Sequence, residues 1–162
     1  MISDLLRYTD LPLPEKRYLP GEGLHPHRDP NGFRLPKFSK TDKKFSEFTW
    51  QDSKQYLYAI DLFNNRYWWE CHEVLEDLWV ELNRSGSGGI FLQGIIQVAA
   101  GLLKESRCRH QPAVRLIEKG VSKLETQAGV FLGINIEKFV NSIQDYVSGK
   151  TKTVPLVKLE GL

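Results

Sequence analysis

Residues 63–79 read Phe-Asn-Asn-Arg-Tyr-Trp-Trp-Glu-Cys-His-Glu-Val-Leu-Glu-Asp-Leu-Trp, and no other stretch limits the fold as tightly. Three of the four tryptophans stand here beside a His-Glu pair and a third carboxylate. On a 3.6-residue period, Tyr67, Cys71, Val74, Leu75, Leu78 and Leu82 recur at spacings of three, four and one and share a face. Trp68, His72, Glu76 and Trp79 follow an adjoining stripe, while Glu70, Glu73, Asp77 and Glu81 fall more to the outside. A helix over about 66–83 is expected. Asn64-Asn65 before it suits a turn, because Asn tolerates the left-handed conformation.

His72 and Glu76 lie one turn apart and can touch. Beside so much aromatic bulk they are expected to be half buried, and a buried charge without a partner is costly. The next apolar segment offers partners. Residues 90–108 are apolar nearly all round, as in the centre of a bundle, with Gln93 and Gln97 as the polar groups of its middle. Buried amides also need partners. The expectation is a closed network of His72, Glu76, Gln93 and Gln97. Gly94 and Gly101, seven apart on one face, each cost about 1 kcal/mol in a helix relative to Ala, which close approach to another helix would offset.

The remaining helices follow the same pattern. Thr49 is a plausible N-cap for a helix over 50–63 that buries Tyr56, Leu57, Ile60 and Phe63. Ser85-Gly86-Ser87-Gly88-Gly89 reads as a flexible connection. It lacks the Lys-Ser/Thr of a phosphate loop. Pro112 suits the first position of a fourth helix, running to about 128 and stopped by Gly129. Asn135 caps a fifth, with Ile136, Phe139, Val140, Ile143, Tyr146 and Val147 inward and Gly149 as its stop.

Residues 1–48 differ. Six of the eight prolines fall there, which forbids a long helix, yet Tyr8, Tyr18, Leu19, Leu24, Phe33, Leu35 and Phe38 are interleaved with them. An ordered extended strap across the bundle is expected. Lys37, Lys40, Lys43 and Lys44 read as a solvated basic link. Residues 150–162, with Pro155, read as an extended tail. The fold class is therefore all-α: a single-domain bundle of about five helices over 49–149, with the proline-rich strap before it.

At 162 residues, 41% hydrophobic and 26% charged, the chain suits one soluble domain. A net charge of +2 argues for neither nucleic acid nor a membrane surface. Residues 90–103 are too short to span a bilayer. Cys71 and Cys108 make no disulfide framework, and residues 1–10 lack the apolar core of a secretory signal, so a cytoplasmic setting is expected. Cys71 should be packed and inert. Cys108, between Arg107 and Arg109, should lie nearer the surface.

The paired pattern also resembles a known family. Phe63-Asn64, Trp69-Glu70-Cys71-His72-Glu73-Val74-Leu75-Glu76, Trp79, and Leu92-Gln93-Gly94-Ile95-Ile96-Gln97-Val98-Ala99-Ala100-Gly101-Leu102-Leu103-Lys104 resemble the family catalogued as domain of unknown function 309, over roughly 50–147. The resemblance implies a compact all-helical fold and no established activity. Cys71 departs from the alanine usual there, and Arg109-His110-Gln111-Pro112 replaces a Gly-Asn-type turn. The strap resembles an extension found in some members.

Two functional readings follow. The first is a non-catalytic binding or interaction module for a small molecule or a protein, with His72, Glu76, Gln93, Gln97, Trp79 and Asn64 as its binding residues. It carries no cofactor and allows a homodimer. The alternative is a metal-dependent hydrolase using His72 and Glu76, with His25 or His27 swinging over from the strap. The second His of a His-Glu-x-x-His protease motif is missing. Ser106, Ser122 and Ser142 have no nucleophile context.

Overall fold

Five α-helices and one small hairpin make up the described residues, 6–39 and 44–162, of the computed structural model. The helices are α1 (Lys54–Asn64), α2 (Trp68–Glu81), α3 (Gly86–Ser106), α4 (His110–Leu124) and α5 (Ile136–Val147). The all-helical single-domain expectation holds, with the hairpin as its one exception. Lys40 and Lys43 of the basic link lie outside the described residues. Lys37 and Lys44 are exposed.

Several helix ends move from their expected places, each for a local reason. Thr49 does not cap α1. Its hydroxyl donates to Lys44 O at 2.8 Å, and Trp50–Asp52 forms a 3-10 turn. Ser53, in an extended conformation, is the cap, its Oγ accepting from Tyr56 N–H at 3.2 Å. The break before α2 is made by Arg66 at φ 64°, not by an asparagine. The glycine run is not a linker, because Gly86 already opens α3. The reversal is carried by Asn83 and Arg84, both at positive φ. Pro112 is the third residue of α4, still in the turn where a missing N–H costs nothing.

The extra turn makes α3 21 residues long, apolar and long enough by length and composition to cross a bilayer. Its apolarity is accounted for by the core, where Phe91, Leu92, Ile95, Val98, Ala99 and Leu102 are all buried. Helix α4 packs along it at close range. A Cβ on Gly120 would stand 2.7 Å from Gly94 O, and one on Gly101 would stand 2.3 Å from Ile117 Cγ1. The glycines of both helices thus let the two backbones meet.

Helix α4 ends at Leu124, four residues before the expected stop. The chain then forms β1 (Val130–Phe131) and β2 (Ile134–Asn135), antiparallel, with Val130 opposite Asn135. Leu132 and Gly133 turn between them at φ 47° and 76°, the double positive φ of a type I′ hairpin. Leu-Gly lacks the usual Asn or Asp, so the turn gave no sequence signal. Gly133 also lies under Trp50, whose ring would be 2.4 Å from an added Cβ. Asn135 caps α5 as expected, its side chain accepting from Lys138 N–H.

The strap and the tail are both held by α1. The buried Asp61 carboxylate accepts from Tyr8 N–H, Thr9 N–H and Thr9 Oγ1 and pairs with Arg7 Nε at 3.1 Å. Tyr58 and Tyr67 hydroxyls donate to Pro12 O and Pro14 O. Pro12 and Pro14 have no N–H to offer, so at these two positions the strap is held through its carbonyls. On the tail, Asn64 donates Nδ2–H to Val157 O at 2.8 Å and accepts Val157 N–H at 2.7 Å. Tyr8 OH accepts Leu159 N–H, joining strap to tail.

Candidate functional site

Helix α2 faces three ways. Cys71, Val74, Leu75 and Leu78 enter the core, Val80 and Asp77 meet solvent, and the strip between them lies beside the strap. Glu70, expected outside, is fully buried on the strap side. It stands four residues before Val74 and so lies at the edge of the buried face. Tyr18 N–H donates to Glu70 Oε1 at 2.6 Å, while Oε2 is buried with no hydrogen-bond partner among the described residues. Burial pushes the Glu70 carboxyl up to about 7, against the lowering effects of the Tyr18 hydrogen bond and the nearby Arg17 charge.

The strap residues that cover this strip are aromatic. Trp69 meets the rings of Tyr18, His25 and His27 at centroid distances of 4.7, 5.6 and 5.7 Å. Such edge and tilted contacts suit ring quadrupoles. His25 is spent on the local turn, its Nδ1 accepting from His27 and Arg28 N–H. His27 is left facing α2, its Nε2 3.4 Å from Glu73 Oε2.

Glu73 in turn lies beside His72, with Oε1 3.7 Å from Nδ1. His72 Nε2 is 3.6 Å from Glu76 Oε1. His72, Glu73 and Glu76 are all half-buried, and one donor atom from each lies within 4.8 Å of the other two. His72 keeps 30% of its side-chain exposure and Glu76 keeps 45%, so both meet water. Glu73 was not singled out by the sequence reading. Its signal was present: it adjoins His72 in sequence and stands three residues before Glu76.

The expected amide lock is absent. Gln97 Oε1 accepts from Lys123 Nζ of α4 at 3.0 Å, and no hydrogen bond joins His72 or Glu76 to Gln93 or Gln97 among the described residues. Gly94, Gln97 and Gly101 recur at three and four and so share one side of α3. That side is the one packed on α4, which turns Gln97 away from α2.

The other expected site residues are dispersed. Asn64 is buried and fully used in holding Val157. Trp79 is half-buried under the Arg84 guanidinium, 5.3 Å from the ring centroid, with its indole N–H unpartnered among the described residues. Cys71 is buried and its thiol pushed well up by desolvation, while Cys108 is exposed. A groove lined by Leu11, Phe38, Phe45, Lys54 and Leu78 runs elsewhere between strap and bundle and includes neither His72 nor His27.

Fold and site together define a strapped helical bundle with a surface imidazole–dicarboxylate cluster on its second helix. The model of the family described as domain of unknown function (DUF309) matches residues 56–116, and over that span the chain is similar to this family. The matched span holds α1 from its third residue, α2 with its cluster residues, α3 and the start of α4. The strap, with Tyr18 and His27, lies outside it. No curated protein and no solved structure matches the chain.

Proposed function

We propose that this protein is a non-catalytic binding module that takes a cationic ligand on the strap-edged face of α2, at His72, Glu73 and Glu76. One observation supports this above the rest: three polar side chains converge within 4.8 Å, and all three remain partly exposed to water. Asp61 and Asn64 show the contrast, since their polar atoms are spent on the strap and the tail. Two carboxylates around an imidazole favour positive charge. The hydroxyls of Ser106 and Ser142 donate to carbonyls one turn back, and Cys71 is shut in the core, which favours binding over nucleophilic chemistry. Both cysteines are free, in keeping with a reducing cytoplasm.

Thermal denaturation with a panel of divalent cations and primary amines tests the proposal. A member of the panel should raise the Tm of the wild type and not that of His72→Ala or Glu76→Gln. A panel that shifts nothing, or shifts all three proteins alike, removes the reading.

A second reading, a metal-dependent hydrolase, is favoured by the same His72 and Glu76 one turn apart. It requires that metal-loaded protein cleave activated esters or phosphoesters, and that Glu76→Gln does not.

A further inference from the structure

Resting on the binding reading, we propose that the ligand is a divalent first-row transition ion of the zinc type, held by His72, Glu73 and Glu76, with strap residue His27 positioning Glu73. The side chains form a continuous run, His27–Glu73–His72–Glu76, with gaps of 3.4, 3.7 and 3.6 Å. These are longer than charge-assisted hydrogen bonds, about 2.7–2.9 Å. The two His72 gaps run to different ring nitrogens, but one donor atom from each of His72, Glu73 and Glu76 lies within 4.8 Å of the other two, somewhat wider than the roughly 3.4 Å between tetrahedral ligands held at about 2.0–2.1 Å from one ion. Small rotamer changes would therefore close the three α2 donors on an ion without moving the helix. Imidazole among the donors selects zinc, cobalt or iron over magnesium or calcium, which prefer oxygen alone.

Only one nitrogen of His72 can serve one ion, so the chain supplies three ligands and leaves a position open to water or a partner group. His27 adjoins the Glu73 oxygen on the far side from His72. A ligating carboxylate is commonly oriented by such an outer hydrogen-bond partner. His27 comes from the strap and Glu73 from α2, so loading the ion fastens the strap at residues 25–32 to the bundle.

The test is calorimetric titration of chelator-stripped full-length protein with Zn²⁺, repeated with Co²⁺ and read by its visible absorption. One ion per chain should bind. His72→Ala and Glu76→Gln should lose binding. His27→Ala should weaken it by about tenfold or more while the metal-free Tm stays unchanged, and His27→Gln, which keeps a donor, should recover most of the loss. Zinc should slow proteolysis at residues 25–32 in the wild type and not in His27→Ala.

Failure of the wild type to bind either ion, or equal binding by His72→Ala, overturns the metal assignment. The binding reading survives that result if amines still raise the Tm through His72, and falls if they do not. Equal zinc affinity in the wild type and His27→Ala overturns the role of the strap alone.

Discussion

Tyr18 donates its backbone N–H to Glu70 Oε1 across 52 residues of sequence, at 2.6 Å, and seals a carboxyl group whose second oxygen has no hydrogen-bond partner among the described residues. The strap thus sits on an acid that is costly to ionise.

That relationship gives the protein a pH dependence with a definite sign. Glu70 titrates near 7 when folded and near 4.5 when unfolded. Between those values the folded chain holds a proton that the unfolded chain releases, so stability falls as pH rises through this window. The loss is complete above about pH 7. Glu70→Gln keeps the acceptor for Tyr18 and removes the charge. Its Tm, measured with chelator present, should match the wild type near pH 4.5 and exceed it at pH 8. Parallel Tm–pH curves for the two proteins would contradict this.

Asn64→Ala should be severely destabilising although it touches no candidate ligand group. It leaves the N–H and C=O of Val157 buried without partners, at a cost of about 2 kcal/mol or more. Chemical denaturation should show the loss. Hydrogen exchange should show amides of residues 154–159 opening before those of α3.

Gly120→Ala tests the contact between α3 and α4. Helix propensity alone would favour alanine by about 1 kcal/mol. The new Cβ meets Gly94 O at 2.7 Å and Val98 N at 3.0 Å, both backbone atoms, so the helices must part. Overpacking of this kind costs about 1–3 kcal/mol. A net loss of stability in urea is expected, and a gain would show that the helices separate freely.

Glu76→Ala should leave the metal-free protein nearly as stable as the wild type, within about 0.5 kcal/mol. Its carboxylate is 45% exposed, and its contact with His72, at 3.6 Å, is an ion-pair distance rather than a hydrogen bond. A large fall in Tm would restore the view that His72 and Glu76 lock the bundle.

The heptad-like runs made most of the core legible. Cys71, Val74, Leu75 and Leu78 are buried as their spacing requires, and Gly94 and Gly101 meet another helix. Asn135 was readable as a cap because the rule is local. The hairpin was not, since Leu132-Gly133 carries half the expected turn signal and owes its shape partly to Trp50 above it. Glu70 was misplaced by a single position on the helical wheel, at the boundary where periodicity is least decisive. Gln97 was assigned to the wrong neighbour because an amide at a given spacing has a face but no named partner.

The order of apolar and polar residues was enough to determine five helices and the side of each that leaves water, because burial acts on every residue through its own position along the helix. It also marked His72 and Glu76 as a pair one turn apart. Only the tertiary structure decided that Tyr18 would bury Glu70, that His27 would reach Glu73, and that Gln97 would turn to Lys123. Those contacts join residues 26 to 52 apart in the chain, and their partners are chosen by how whole elements pack, which no local pattern encodes.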